Sequence, residues 1–259
     1  MDKMHKDIVP EIDGSRSSEQ SRLTDLRIVA AIPCFNNGQS IGEIVSKAKK
    51  HVDQVIIIDD GSSDGTSKLA EEAGASVTRH TCNRGYGLAI KSCFESAKAI
   101  GADVLVILDG DGQHSPDELL SVITPIVNKN ADLVIGSRFI GREGKMPRYR
   151  KFGINVITFL CNFGSKVKVS DSQSGFRAYG KRVLDSVLPT ERGMSASVQI
   201  LLQAVERGFV ITEVPINCFY PPTPFRFHAV THGVSVATAA VRLRLKSFCL
   251  QMASRFRRR

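Results

Sequence analysis

The stretch Val104-Leu105-Val106-Ile107-Leu108-Asp109-Gly110-Asp111-Gly112-Gln113 decides how this chain is read. Five apolar residues in succession suit a strand covered on both faces, as in a parallel sheet between helices. The character changes abruptly at Asp109. Two carboxylates one residue apart, on a glycine turn, suit a hard divalent cation with oxygen ligands, and Gln113 adds a neutral oxygen. Magnesium or manganese held there would bridge a diphosphate and neutralise charge on a leaving group. An isolated Asp-x-Asp is most often a solvated acidic turn. Its position at a strand end, and the loops around it, favour a site.

Working outward, short apolar runs alternate with helical patterns. Strands are expected over 27–32, 54–58, 76–80, 104–108 and 133–135, and helices over 41–50, 66–73, 87–99 and 116–128. Ser115 before Pro116 reads as an N-cap with proline in the first turn. Beyond residue 145 come a helix over 149–162, a polar stretch over 170–179, a helix over 197–207 stopped by Gly208, and a strand over 210–215. Such alternation predicts an α/β protein: a mixed, mostly parallel Rossmann-like sheet with helices on both faces. Ligands of these sheets bind beyond the carboxyl ends of the strands. Unusual residues gather at four such ends: Pro33-Cys34-Phe35-Asn36-Asn37, Asp59-Asp60-Gly61-Ser62-Ser63-Asp64-Gly65, Asp109 to His114, and Gly136-Ser137-Arg138.

Each has a plain reading beside a functional one. Asp59 or Asp60 can accept hydrogen bonds from a nucleobase or ribose, with Gly61 letting backbone approach closely. Ser62, Ser63 and Asp64 read as an Asx turn with helix capping. Asn83-Arg84-Gly85-Tyr86-Gly87 opens a helix whose free N–H groups favour anions; Arg84 either meets phosphate or is solvated. The Gly-Ser turn aims Arg138 at the same edge. Arg142, Lys145, Arg148, Arg150 and Lys151 follow, which suggests an acceptor or leaving group bearing phosphate. Singly, each of these five is more naturally a surface charge. Asp171, in the loop Ser170 to Arg177, could orient a sugar hydroxyl, act as a base or simply cap. His114, His228 and His232 lack ligand spacing and read equally as structural.

Composition narrows the class. Hydrophobic content of 42% and charged content of 24% are ordinary for a globular protein. No apolar run approaches the roughly 20 residues of a membrane-spanning helix, and no secretory signal is visible. A cytoplasmic location is expected. Six scattered cysteines suggest neither disulfides nor zinc. Residues 1–25 read as a polar extension, 26–232 as the catalytic domain and 233–259 as a basic amphipathic helix. In that last segment Val241, Leu245, Phe248, Met252 and Phe256 share one stripe. The net charge of +9 is partly local, with seven Arg or Lys and no acid from Val241 onward.

Six segments taken in order resemble glycosyltransferase family 2, which has the GT-A fold, and most of all its polyprenyl-phosphate branch. They are Ile32 to Asn37, Ile58 to Thr66, Asn83 to Gly87, Asp109 to His114, Gly136 to Phe139 and Asp171 to Arg177. The resemblance implies donor contacts from Pro33, Phe35, Asn37, Asp59, Asp60, Arg84 and Asp109. It implies a metal, Mg2+ or Mn2+, held by Asp109, Asp111 and Gln113, and an acceptor phosphate held by Arg138, Arg148 and Arg150. Asp109, Asp111, Arg138 and Asp171 form the catalytic set. Two positions depart from the family pattern: Asn37 stands where an acid is usual, and Gln199 where glutamate is common.

The activity so implied is inverting transfer of a sugar from a nucleotide sugar (GDP-mannose or a UDP-sugar) to a polyprenyl or dolichyl phosphate. A lipid phosphate is already anionic near neutrality, since its second pKa is about 6, so positioning by arginines would replace a strong base. A hydroxyl acceptor in cell-surface polysaccharide would need a base, with Asp171 the candidate. A nucleotidyltransferase would release pyrophosphate instead. Nucleic acid is not expected as a partner, because no Trp and four Tyr leave the basic clusters without stacking residues. The C-terminal helix is expected to lie on an anionic leaflet at the cytosolic face of a membrane.

Overall fold

The computed structural model describes residues 25–140, 146–220 and 233–246. The expected N-terminal extension, apart from Asp25, therefore lies outside the described residues, as do Arg142, Lys145, His228, His232, Phe248, Met252 and Phe256.

Among the described residues seven strands make one sheet: β1 (Ile28–Cys34), β2 (Gln54–Asp59), β3 (Ser76–Arg79), β4 (Val104–Ile107), β5 (Leu133–Ser137), β6 (Arg177–Gly180) and β7 (Ile211–Pro215). Their order is β3-β2-β1-β4-β6-β5-β7. All neighbours run parallel except β6, which is antiparallel to both β4 and β5. The helices are α1 (Ile41–Ala48), α2 (Thr66–Glu72), α3 (Tyr86–Ala99), α4 (Leu119–Val127), α5 (Arg148–Asn162), α6 (Lys181–Ser186), α7 (Ser195–Glu206) and α8 over 233–246.

Strand side chains alternate between two cores, as the two-residue period requires. Val29, Ala31, Leu105 and Ile107 pack with α3, α5, α6, α7 and α8. Ile28, Ala30, Ile32, Val104 and Val106 pack with α1, α2 and α4. Ser115 accepts a hydrogen bond from the Asp117 N–H at 3.3 Å and caps as expected, but the first turn is a separate 3₁₀ segment (Pro116–Glu118) before α4. The glycine stop at Gly208 is also present, with φ of 72°.

β6 is the correction that matters. The polar stretch over 170–179 conceals a strand. Arg177, Ala178, Tyr179 and Gly180 show no alternation, yet all four are buried in mid-sheet. Because β6 runs backwards, its amino end lies at the edge where β4 and β5 end. Ile107 and Ile135 both pair with Arg177. The loop preceding β6 is thus delivered to the carboxyl edge.

Gln199 settles one departure. It is 6% exposed on α7, and its side-chain oxygen accepts from the N–H groups of Thr190 and Glu191 at 2.7 and 2.9 Å. Its amide donates to Thr190 Oγ1 at 2.7 Å. That residue staples a loop, which a glutamate oxygen could do as well. Gln199→Leu should therefore lower unfolding free energy by about 1–3 kcal/mol, the usual cost of stranded donors, and Gln199→Glu by less. Equal urea midpoints for Gln199→Leu and the parent would show the staple to be idle.

Candidate active site

The carboxyl edge is built from loops that lock into one another. Ser40 Oγ donates to the Gly110 carbonyl at 2.6 Å, joining the loop after β1 to the acidic turn after β4. Asn37 Oδ1 accepts from the Phe35 N–H at 2.9 Å, and it would lie 3.3 Å from any Cβ at Gly110. A Cβ at Gly175 would fall 2.4 Å from Asp109 Oδ2. The loop before β6 therefore crosses directly against Asp109, and only glycine permits it.

Asp109 is half-buried, with 31% of its side chain accessible. Burial pushes its carboxyl up, against the charges of Arg138, Arg177 and Arg150 and a hydrogen bond from Tyr86. That bond is long, at 3.4 Å. Asp111 is exposed, and its two oxygens accept from the Gln113 backbone at 3.0 Å and from the Gln113 amide at 2.8 Å. Partial burial raises its carboxyl as well, with the charge of Asp109 adding to the effect. His114 is 4% exposed and neither ring nitrogen has a hydrogen-bond partner. Burial and then Arg138 push it down to about 4, so it is a neutral ring at pH 7, lying 3.6 Å from Asp109 Oδ2.

Across the edge, Arg138 meets Asp171 in a fork: Nε to Oδ2 at 2.7 Å and Nη2 to Oδ1 at 2.8 Å. The Asp171 side chain is fully buried and that of Arg138 is 10% exposed. Burial alone would raise the Asp171 carboxyl, but the hydrogen bonds and charge of Arg138 override it and hold the group below its ordinary range. Glu213 on β7 secures the same loop, accepting from the N–H groups of Ser170 and Asp171 at 2.7 and 3.0 Å. Arg177, 1% exposed, gives its guanidinium to the carbonyls of Ser172, Ser174 and Ser197. Arg148 and Arg150 are exposed on the first turn of α5, with Arg150 5.5 Å from the centre of the Tyr220 ring. The strand tail returns here too: Phe219 donates to the Gln113 carbonyl at 2.9 Å.

Residues 29–188 match the sequence profile described as glycosyl transferase family 2. The chain belongs to that family. A UDP-N-acetylglucosamine–dolichyl-phosphate N-acetylglucosaminyltransferase of Methanococcus voltae is 34% identical over 76% of this chain and 88% of its own. The polyprenol monophosphomannose synthase of Mycolicibacterium smegmatis is 32% identical over 74% and 77%. Among solved structures, glucosyl-3-phosphoglycerate synthase of Mycobacterium tuberculosis, crystallised with Mn2+, UDP and glucosyl-3-phosphoglycerate, superposes with a TM-score of 0.72. That match is 18% identical and covers 91% of this chain and 86% of the other. The sheet order and single reversed strand are those of a GT-A glycosyltransferase.

Several residues expected at the donor hold the loops of this glycosyltransferase together. Asp59 is fully buried and accepts from the Ser62 N–H at 2.8 Å and from the Ser67 hydroxyl, with Arg79 Nε at 3.6 Å. Asp60, 3% exposed, takes the N–H groups of Arg84 and Gly85 at 2.9 and 2.7 Å and touches His80 Nδ1 at 2.6 Å. Both carboxylates shape loops through these bonds. Pro33 is buried within β1. Phe35 at 47% exposure and Arg84 are exposed donor candidates, while Asn37 and Asp109 are half-buried. The base role considered for Asp171 fails for the same reason: a buried carboxylate bound twice by Arg138 is a poor proton acceptor, and it acts as a positioning group.

The residues fit a divalent cation only partly held by protein. Asp109 and Asp111 supply oxygen donors whose carboxyls are raised chiefly by burial, a cost that a bound cation would offset. Among the described residues no group of three or more His, Cys, Asp or Glu converges. That suits an ion completing its shell with water and substrate phosphate. Gln113, expected as a ligand through its oxygen, braces Asp111 through its amide nitrogen.

Asp171→Asn leaves the buried Arg138 charge without its partner and should cost about 3 kcal/mol at pH 7. Because the folded carboxyl is depressed, its contribution is fully present above the ordinary value near 3.9 and lost as pH falls through the lower folded value. Urea denaturation should show the gap between parent and variant closing below about pH 4. A gap that stays constant from pH 7 to pH 3 would exclude the ion pair as its source.

Proposed function

We propose that this family member transfers a sugar from a nucleotide sugar to a polyprenyl phosphate with inversion. The observation that carries it is a missing base beside abundant cations. Among the described residues, His114 is buried and weakly basic, Asp171 is locked by Arg138, and Asp59 and Asp60 are occupied. The charges of Arg138 and Arg150 act on the acidic turn, and Arg148 is exposed on the same helical turn as Arg150. An acceptor that arrives ionised fits this edge; a hydroxyl would not be activated by it. The two relatives named for dolichyl-phosphate and polyprenol acceptors support the same reading.

Asp109 and Asp111 would hold Mg2+ or Mn2+ with the donor diphosphate, Gln113 keeping Asp111 in place. The ion, when bound, neutralises charge on the departing nucleoside diphosphate. Phe35 and Arg84 line the donor side. Arg138 is held by Asp171 through Nε and Nη2, and among the described residues no hydrogen bond engages its Nη1, which would meet an acceptor phosphate; Arg148 and Arg150 would add charge there. The acceptor oxygen forms a bond to the anomeric carbon as the bond to the diphosphate breaks on the opposite face. No proton needs to leave the nucleophile. The basic helix α8 and the residues after it would rest on an anionic leaflet; among the described residues no helix is long and apolar enough to cross a membrane.

Incubation of the protein with manganese and labelled GDP-mannose, UDP-glucose or UDP-N-acetylglucosamine, in parallel, tests this. Label should pass to polyprenyl phosphate and not to oligosaccharides. Asp111→Ala should reduce transfer by at least about a hundredfold, a typical loss for a group stabilising transition-state charge, while melting unchanged. Arg138→Ala should show a similar loss. Transfer to an oligosaccharide hydroxyl instead, or full turnover by Asp111→Ala, would defeat the reading.

A further inference from the structure

Helix α5 has two apolar faces. One is buried, with Ile154, Ile157, Thr158 and Cys161 in or beside the core. The other is not covered by anything among the described residues. Phe152 is 72% exposed, Val156 40%, Phe159 65%, and Phe163, just past the helix end, 72%. Their spacing of four, three and four places them on one stripe. At about 100° per residue it lies nearly opposite the buried face. Phe159 and Phe163 pack on each other with ring centroids 6.2 Å apart. α8 repeats the construction: Val236, Ala239 and Ala240 are buried, while Val234, Val241 and Leu245 are exposed. The two helices are joined where Arg244 donates to the Cys161 carbonyl. Isolated exposed apolar residues need no explanation, but a row of phenylalanines does.

The charge around the stripe is of one sign. Residues 146–170 contain Arg148, Arg150, Lys151, Lys166 and Lys168 and no Asp or Glu. Residues 233–246 add Arg242, Arg244 and Lys246, again with no acid. A second copy of the chain is a poor occupant, since two-fold pairing of the stripe would bring these cations together. The chain's own residues 247–259 are a poor one too, carrying four arginines and no acid. An aromatic stripe rimmed by cations matches the interface of an anionic bilayer, where rings enter the acyl boundary and cations meet headgroups. The position agrees: α5 begins at Arg148 and Arg150, at the mouth of the site, and runs along about 22 Å of surface.

We infer that α5 is a membrane-docking element, which lays Phe152, Val156, Phe159 and Phe163 into an anionic leaflet and thereby sets the arginine mouth at headgroup level. This deepens the acceptor reading above and rests on it for its purpose. It differs from contact through the C-terminal tail, because the anchor is part of the catalytic domain.

The test uses the full chain and flotation with vesicles of phosphatidylcholine and phosphatidylglycerol in equal parts, against phosphatidylcholine alone. The parent should float with the anionic vesicles. The double variant Phe152→Asp/Phe159→Asp should bind at least about tenfold more weakly with an unchanged melt, since both rings are solvent-exposed. Lys166→Glu/Lys168→Glu should weaken binding about fivefold or more. Sugar transfer to a water-soluble short isoprenyl phosphate should survive the phenylalanine changes, while transfer to long polyprenyl phosphate in vesicles falls. A parent that transfers sugar to neither acceptor, yet still floats in a phenylalanine-dependent way, would remove the acceptor reading and keep the docking face. Flotation of the double variant equal to the parent, no flotation of the parent, or loss only on truncation after Lys246 would overturn the inference. So would a dimer in solution that the phenylalanine changes dissolve without any vesicle binding.

Discussion

Arg138 and Asp171 meet inside the protein through two nearly parallel hydrogen bonds, and each depends on the other to be there. Taking either charge out of water alone would cost several kcal/mol, whereas a forked contact with further N–H donors on the carboxylate offsets much of that. The pair can form only if the loop before β6 reaches the end of β5, where Arg138 sits. A parallel strand in that position would begin at the far edge. The reversal of β6 brings the loop to the right side, and Glu213 and Arg177 hold its two halves in place through backbone groups. The same reversal carries Gly175 against Asp109. One strand direction thus couples the cationic side of the edge to the anionic side.

The carboxylates of the edge divide sharply. Asp59, Asp60 and Asp171 are fully or nearly fully buried and bound by N–H, hydroxyl, imidazole or guanidinium groups. Asp109 and Asp111 keep access to solvent and have raised rather than lowered carboxyl groups. Asp64 at the same edge is exposed, but it is committed to Thr66 and to the Gly38 N–H, so the raised carboxyls sit on one turn. That turn is where a cation gains most, and it is braced from beneath by Ser40 and from beside by Gln113.

How much of this was legible depended on the kind of signal. The buried strands announced themselves as unbroken apolar runs, and β1, β2, β4 and β5 lie where those runs are. The clustering of polar residues at strand ends also held, because chain direction and alternation fix which edge those ends share. β6 was hidden. It is four residues long, contains Arg and Gly, and owes its place to two neighbours rather than to propensity. The loop-shaping bonds of Asp59 and Asp60 are hidden for a related reason. A sequence shows an acid at a strand end but not which N–H groups will reach it. The Asx-turn reading given to the residues just after them applied to Asp59 itself. Glu213, which clasps the Asp171 loop from β7, carried no signal short of the fold, since its partners are more than forty positions away. The exposed face of α5 was present as a pattern, but the helix's other apolar face supplied a sufficient reason for being helical.

Charge separation across the edge is the last constraint on what can bind. Asp109 and Asp111 lie after β4, and three arginines lie after β5 and at the start of α5. A nucleotide alone, carried on a cation, answers the first group and leaves the second facing water. A second anion answers both, provided it can approach the first ligand without being repelled by the carboxylates between them. A cation on the acidic turn removes that repulsion, and the fork on Arg138 fixes the direction from which the second anion comes. An amphiphilic second anion adds a further demand: its apolar part needs a place to go that is not bulk water. The apolar stripe on α5 starts beside the turn that carries Arg148 and Arg150, so the polar and apolar requirements of one amphiphilic acceptor would be met on adjoining surface.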